Sequence, residues 1–151
     1  MDSERHVVST PVGNLEIVTC EARLRELSFT KARPTERAMT GPLAEDLSRY
    51  FQGESTDFND VELELADASP FERRVYEATK SVSFGRVATY GQIARAIGSP
   101  NASRAVGNAL GKNPIAIVIP CHRVVASDGL GGFSAGLSYK RKLLRLEGTW
   151  P

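Results

Sequence analysis

The hydrophobic periodicity of this 151-residue chain changes partway along its length. In the first part, apolar and polar residues alternate, as in TPVGNLEIVTC, where Leu15 and Ile17 share a face. ARLRELSF reads as the partner strand, and DFNDVELEL also reads as extended. Only GPLAEDLSRYFQG has apolar residues at helical spacing. This part is therefore predicted to be a small sheet with one helix.

The change of pattern coincides with a helix start. Ser69 suits an N-cap, Pro70 suits the first helical position, and Glu72 completes a capping box. Helical spacing is the commoner pattern from there to the end of the chain. We therefore predict an α/β (α+β) protein with an N-terminal α/β domain over residues 1–68 and a mostly helical C-terminal domain over residues 69–151.

Charge divides at the same boundary. Residues 1–68 hold 7 Lys/Arg and 14 Asp/Glu, a net charge of −7, whereas residues 69–151 hold 12 Lys/Arg and 4 Asp/Glu, a net charge of +8. The overall charge of +1 conceals this asymmetry. The basic part has the electrostatics of a polyanion-binding domain, although basic residues on solvated helix faces would give the same composition.

Composition limits the remaining classes. No apolar stretch is long enough to span a membrane and no signal-peptide pattern opens the sequence, so we expect a cytoplasmic protein with no membrane partner. Two cysteines, Cys20 and Cys121, make a disulfide unexpected in a reducing compartment. With His6 and His122 they contain no closely spaced ligand pair, so neither a metal site nor a cofactor is predicted.

Two short helices are predicted close together in the basic part. Thr89, with Gln92 three residues later, caps the first, and Ser99 and Pro100 start the second, which Gly111 ends. Two such helices joined by a tight turn outline a helix-turn-helix, although any packed helix pair gives a similar outline.

The second of these helices has small side chains around one arginine. A glycine inside a helix costs about 1 kcal/mol relative to alanine, which indicates close approach of another helix or of nucleic acid. The basic composition favours nucleic acid. The residues predicted to face it are Ala102, Ser103, Arg104, Ala105 and Gly107.

A candidate nucleophile follows an apolar run. NPIAIVIP reads as a short strand buried on both faces, and Cys121 and His122 follow it. A thiol has an ordinary pKa of about 8.5, and burial raises it, so Cys121 needs a base to react. Neighbouring side chains of a strand point to opposite sides, so either the chain turns here or a water carries the proton. Without such help, Cys121 is an inert buried thiol.

Two more polar residues could support this pair. Glu147 falls in the last turn of the final predicted helix, where its charge opposes the helix dipole. His122 could compensate that charge, as could Arg145 or Lys142. Asn113 precedes the apolar run and could bond the backbone of a turn.

IPCHRVV, with RAVGNALGKNP upstream and GGFSAGLSYKRKLLRLEG downstream, closely resembles the O6-alkylguanine-DNA alkyltransferases. TPVGNLEI resembles their N-terminal strand, so the resemblance spans essentially the whole chain. It implies a ribonuclease H-like N-terminal domain and a C-terminal domain with a winged helix-turn-helix. It also implies suicidal DNA repair: after base flipping, an alkyl group such as methyl moves irreversibly from O6 of guanine, with O4 of thymine a second candidate, to the protein's own cysteine.

The implied partner is double-stranded DNA containing O6-alkylguanine, bound by a monomer through the minor groove without sequence preference. In the implied site, Cys121 accepts the alkyl group, His122 takes its proton through a water and Glu147 holds the histidine. Asn113 braces the turn, and Tyr90 hydrogen-bonds the flipped base. The resemblance places Val124, Ser134, Ala135 and Lys140 at the pocket. Arg104 would be the finger that fills the gap left by the base. Arg123 and the small residues of the second helix would contact DNA.

Three positions depart from the family pattern. Phe133 replaces a frequent tyrosine, and Ala135 replaces a frequent glycine, where it would be strained at positive φ or would otherwise narrow the pocket mouth. We therefore expect poorer acceptance of bulky O6 groups such as benzyl. Some relatives bind zinc in the N-terminal part; Cys20 matches one ligand, but Arg25 stands where another would be, which again predicts no metal.

Other functions remain compatible with the residues alone. Cys121 could be the redox sensor of a sequence-specific helix-turn-helix regulator. It could also serve a thiol hydrolase or transferase acting on small molecules, which would leave the basic half unexplained. A third alternative, a non-catalytic relative that binds damaged DNA, would lack the cysteine.

Overall fold

The computed structural model describes residues 3–150. Its first part is a three-stranded antiparallel sheet in the order β1-β2-β3, followed by one helix. The bounds of these elements are β1 Ser3–Val8, β2 Asn14–Cys20, β3 Arg23–Thr30 and α1 Pro42–Phe51. The two strands and the helix predicted here are confirmed, and β1 is an addition.

The second part is mostly helical, as predicted. Its elements are α2 Pro70–Lys80, β4 Ala88–Thr89, α3 Tyr90–Ala96, α4 Ser103–Gly111, a 3₁₀ turn Cys121–Arg123, β5 Val124–Val125 and α5 Leu137–Leu146. Both predicted capping boxes are present, from Ser69 with Glu72 and from Thr89 with Gln92. The short strands β4 and β5 pair in parallel. No helix within residues 3–150 has the length and apolarity to cross a membrane.

The predicted start of the second short helix is wrong. It begins at Ser103, with Ala102 as an N-cap that makes no side-chain hydrogen bond, rather than at Ser99 and Pro100. The backbone N–H of Ala102 bonds the carbonyl of Ser99, so the Ser-Pro segment forms a turn before the helix. Turn and N-cap signals share the same residue types, which explains the error.

The strand predicted over NPIAIVIP is also wrong. The segment is buried, but it coils: Ile117 has a φ of 72°, and Val118 and Cys121 each bond the carbonyl two residues back. Within residues 3–150, one isolated bridge, Leu27 to Ile115, joins it to the sheet. Short apolar runs report burial rather than conformation, and a strand requires a neighbour along its whole length. The DFNDVELEL segment likewise makes a single bridge to the described strands, between Leu24 and Leu63.

The two parts of the chain pack together at three places relevant to the site. Leu27 of β3 exchanges backbone hydrogen bonds with the coiled apolar segment, through Pro114 and Ala116. Phe29 of β3 stacks on Tyr139 of α5, with ring centroids 4.1 Å apart. Tyr50, at the end of α1, is fully buried among Phe51, Phe58 and Phe84 and reaches α5.

Candidate active site

The chain turns sharply at Cys121, and Asn113 holds that turn. The Asn113 side-chain N–H₂ donates to the carbonyl of Ile119 at 2.9 Å, and its Oδ1 accepts from the N–H of Ile115 at 3.0 Å. Residues 121–123 then form the 3₁₀ turn. One amide therefore spans the coiled segment and fixes where the thiol emerges. The turn that the sequence left open as a possibility is therefore present.

The thiol lines a cavity of about 280 Å³. The lining residues come from α3, α4, the 3₁₀ turn and the loop before α5: Tyr90, Gly107, Leu110, Gly111, Cys121, Gly132, Phe133 and Ser134. Burial raises the pKa of Cys121, while a hydrogen bond from Asn113 and the charge of Lys140 act to lower it. The resting group is therefore a neutral thiol whose anion has two stabilising neighbours.

His122 lies behind this turn, completely buried, and contacts Glu147. Its Nε2 is 2.6 Å from Oε2 of Glu147, so the pairing predicted from the sequence is present. Burial acts to raise the pKa of Glu147, but hydrogen bonds and charge from His122 and Arg123 dominate and hold it at about 2. Burial lowers the pKa of His122 despite the glutamate. At neutral pH the pair is therefore a carboxylate and a neutral imidazole.

This arrangement determines which nitrogen of His122 can act as a base. An ionised carboxylate only accepts hydrogen bonds, so Nε2 carries the proton and donates it to Glu147. In a neutral imidazole, Nδ1 then holds the lone pair. Nδ1 is buried, and no residue within 3–150 hydrogen-bonds it. The histidine is thus held in the tautomer that leaves Nδ1 free to accept a proton.

The assignment of Arg123 to DNA is corrected by the structure. Arg123 is 5% exposed and donates from Nε to Glu147 Oε1 at 2.8 Å and from Nη2 to Oε2 at 3.2 Å. Its Nη1 donates to the carbonyl of Val82 at 2.7 Å. A guanidinium buried against a carboxylate cannot reach a phosphate, so Arg123 belongs to the Glu147 network. Sequence alone shows the cation but not the direction in which the 3₁₀ turn points it.

Lys140 and Tyr90 fix the loop that closes the cavity. The Lys140 ammonium is fully buried and donates to the carbonyls of Val124, at 2.6 Å, and Gly132, at 2.9 Å. The hydroxyl of Tyr90 accepts from the N–H of Gly132 at 3.2 Å, which leaves its own proton for another acceptor. Burial lowers the pKa of Lys140 to about 8, against the raising effect of Cys121.

Gly131 makes room for the Tyr90 hydroxyl, and Gly107 lies against the Tyr90 ring. Gly131 has a φ of +77°, and a Cβ there would lie 2.8 Å from the Tyr90 hydroxyl. A Cβ on Gly107 would lie 3.8 Å from the Tyr90 ring, in ordinary van der Waals contact. Gly107 therefore belongs to the cavity wall as well as to the small-residue helix. The predicted pocket residue Ser134 also lies in that wall.

The outer surface of α4 carries the other predicted DNA residues. Arg104 and Ala105 are exposed, and Ala102, Ser103 and Gly107 are partly exposed. No described residue is recorded as an ion-pair partner of Arg104, and it lies one turn before the cavity-lining Gly107. This face is accessible, in contrast to Arg123.

Ala135 and Phe133, which depart from the family pattern, lie at or beside the cavity. The backbone of Ala135 is outside the left-handed region, so alanine is not strained there. Ala135 is exposed and lies beside the cavity wall, whereas Phe133 is part of that wall. Among residues 3–150, no three metal-binding side chains group together, and both Cys20 and Cys121 are free.

Tyr50 was missed by sequence reasoning. Its hydroxyl donates to Oε2 of Glu147 at 2.5 Å, although 97 residues separate the two. In the sequence it is one apolar-face residue of a helix in the other half, and no motif marks it.

Together, the fold and the site define a protein with a small α/β part joined to a mostly helical part that carries a thiol on a cavity wall. The family description "6-O-methylguanine DNA methyltransferase, DNA binding domain" matches residues 70–149, and "6-O-methylguanine DNA methyltransferase, ribonuclease-like domain" matches residues 5–65. The chain belongs to the 6-O-methylguanine DNA methyltransferase family.

Relatives support this membership along most of the chain. A methylated-DNA–protein-cysteine methyltransferase of Metallosphaera sedula is 44% identical over 93% of this chain and 90% of its own. One from Mycolicibacterium paratuberculosis is 44% identical over 95% and 92%. The structure of Mycobacterium tuberculosis OGT in complex with DNA superposes with a TM-score of 0.83 at 37% identity, covering 96% of this chain and 93% of that one.

Proposed function

We propose that this protein repairs DNA by transferring an alkyl group, such as methyl, from O6 of guanine to Cys121. The observation that carries the proposal is the thiol of Cys121 on a cavity wall, followed in the chain by a buried imidazole that Glu147 holds. The transfer consumes the protein, since the thioether formed is stable and no described group at the site offers a route to cleave it. The net charge of +8 over residues 69–151 fits a DNA substrate.

Burial raises the pKa of Cys121 and lowers the pKa of His122, so it disfavours the charged form of both groups. Neutral thiol and neutral imidazole are both favoured at rest, so the proton leaves Cys121 as the nucleophile forms. We propose that it passes through a water to Nδ1 of His122. Glu147 then faces an imidazolium, and the ion pair stabilises the charge that has appeared. Asn113 and Lys140 stabilise the thiolate on the other side.

In the transfer step, the thiolate attacks the alkyl carbon and the bond from that carbon to O6 breaks. The electron pair of this bond passes to the guanine, which leaves as an anion unless a proton meets it. The Tyr90 hydroxyl, whose own acceptor site is used by Gly132, has a proton to donate to the base. We propose that the Val124 carbonyl and the Ser134 N–H contact the guanine edge. Lys140 would hold both sides of this contact, because it donates to the carbonyls of Val124 and Gly132. Ala135 borders this contact.

A guanine in a duplex cannot reach a cavity of this kind, so the base must leave the stack. We propose that Arg104 fills the gap it leaves and that the small residues Ala102, Ser103, Ala105 and Gly107 lie in the minor groove. Such binding depends on phosphate contacts and has no sequence preference. We further propose that the protein works as a monomer, because one lesion needs one thiol, and that it works in the cytoplasm, where prokaryotic DNA lies.

Stoichiometry tests this function. We expect one duplex lesion to disappear per protein molecule, and a second portion of O6-methylguanine duplex to remain unrepaired. The His122→Gln variant should lose most of the rate while still binding duplex. Continued turnover would instead indicate a hydrolase or a recycling transferase. Binding to one preferred sequence without loss of the lesion would indicate a regulator.

A further inference from the structure

Glu147 receives hydrogen bonds from both halves of the chain. Its Oε1 accepts from Arg123, while its Oε2 accepts from His122, Arg123 and Tyr50. Three of these contacts come from the 3₁₀ turn, and the fourth comes from α1 in the N-terminal half. The Tyr50 hydroxyl is therefore the one donor of the four that the N-terminal half supplies.

The Tyr50 hydroxyl can only be the donor in this contact. Burial first, and then the neighbouring charge and hydrogen bond of Glu147, raise the pKa of Tyr50 well above its ordinary value of 10.0. The phenol therefore keeps its proton at neutral pH. Glu147 is ionised, so the proton lies on tyrosine and points at Oε2.

Tyr50 is held rigidly in this position. Its ring is fully buried between Phe51, Phe58 and Phe84, with centroids 5.1–5.9 Å away. Phe84 also lies under the Arg123 guanidinium, 5.9 Å from its ring centroid. The aromatic cluster thus fixes two of the donors to Glu147 at once, and the hydroxyl cannot turn to another acceptor without unpacking α1.

We propose that Tyr50 is a positioning residue for alkyl transfer: its hydroxyl holds Glu147 in the orientation that keeps His122 ready to accept the thiol proton. The N-terminal half would then do more than stabilise or solubilise the chain, because it supplies one member of the relay. This proposal rests on the proposed function for its kinetic consequence, but its effect on His122 can be measured without alkyl transfer.

The direction of the effect follows from the shared oxygen. Tyr50 and His122 both donate to Oε2, so the phenol reduces the negative charge available to an imidazolium. Removing the hydroxyl should strengthen the attraction between Glu147 and protonated His122 and therefore raise the pKa of His122. The other charged groups that act on His122 are Arg123 and Lys140, and the substitution leaves both in the chain.

The test is Tyr50→Phe, which retains the ring. The chain contains only two histidines, His6 and His122, so imidazole NMR signals can be assigned with His6→Asn. In Tyr50→Phe we expect the titration midpoint of His122 to rise by about half to one pH unit. The acid limb of the single-turnover methyl-transfer rate should move to higher pH by the same amount. Thr79→Val is the matched control, because Thr79 is equally buried but its hydroxyl bonds only the Val75 carbonyl of its own helix.

The outcomes separate the two proposals. Unchanged His122 titration and an unchanged acid limb in folded Tyr50→Phe would overturn the positioning role, even if repair proceeds. An equal shift in Thr79→Val would also overturn it, because general loosening of the fold would then explain the effect. Absence of methyl transfer in the wild type, with the His122 shift present, would overturn the proposed function and leave the Tyr50–Glu147–His122 coupling intact.

Discussion

Replacing Arg123 by methionine tests the reassignment of this residue from DNA contact to buried support. The substitution keeps the apolar stem and removes three donated hydrogen bonds, two of them to Glu147. The pKa of Glu147 lies at about 2, against an ordinary 4.5, with Arg123 and His122 as the lowering groups. Since one pKa unit corresponds to about 1.4 kcal/mol, the ionised carboxylate contributes about 3 kcal/mol to folding at neutral pH.

Loss of one partner from a buried ion pair costs about 3–5 kcal/mol in general, in agreement with this value. For a chain of this length, 1 kcal/mol changes Tm by about 2–4 °C. We therefore expect Arg123→Met to lower Tm by about 6–12 °C at pH 7. Because folding lowers the pKa of Glu147, the stability that this carboxylate adds is complete above about 4.5, its pKa in the unfolded chain. That stability is lost as the pH falls towards about 2, its pKa in the folded protein. The Tm difference between wild type and variant should accordingly shrink below about pH 4.5.

Differential scanning fluorimetry across pH and DNA binding by fluorescence anisotropy are the assays. Arg104→Met is the matched control, because it removes the same charge from an exposed position of the same half. We expect Arg104→Met to keep its Tm and bind duplex more weakly, and Arg123→Met to show the reverse. An Arg123→Met protein with unchanged Tm and weakened DNA binding would refute the reassignment and restore the original prediction.

Three further substitutions test individual parts of the site. Arg104→Ala should slow repair of duplex DNA far more than reaction with the free O6-methylguanine base, and equal losses would contradict the finger role. Gly131→Ala should push the Tyr90 hydroxyl from its place, because the new Cβ would lie 2.8 Å from it at a φ of +77°; single-turnover rates should fall at least tenfold with little change in duplex affinity. Asn113→Ala should raise the pKa of Cys121, so its reaction with iodoacetamide at pH 7 should slow, and an unchanged rate would exclude a role for the amide.

The parts of the fold that sequence predicts well are those specified by local chemistry. The capping boxes at Ser69 and Thr89 fix two helix starts, because each side chain satisfies backbone donors a few residues away. The β2–β3 hairpin follows from alternation. The predicted conformation is wrong where a segment depends on distant partners. The segment from Ile115 to Ile119 lies against β3, and the Asn113 side chain holds it in a coil. An apolar run in the sequence shows neither contact.

The site divides in the same way. Cys121 and His122 stand out by residue type, and Glu147 could be suspected because a carboxylate at a helix C-terminus needs a partner. The direction of Arg123 could not be read, since a 3₁₀ turn and an extended strand point the same three residues to different sides. The contact of Tyr50 with Glu147 could not be predicted, because it arises from packing between elements that are far apart in sequence.

The account depends most directly on which atom receives the alkyl group. We propose incubating the protein with a duplex containing O6-methylguanine and measuring the intact mass, followed by mapping of the two cysteine peptides. The account predicts one added methyl group per molecule, on Cys121, with Cys20 unmodified and no addition in Cys121→Ala. A methyl group elsewhere, or its persistence in Cys121→Ala, would contradict it.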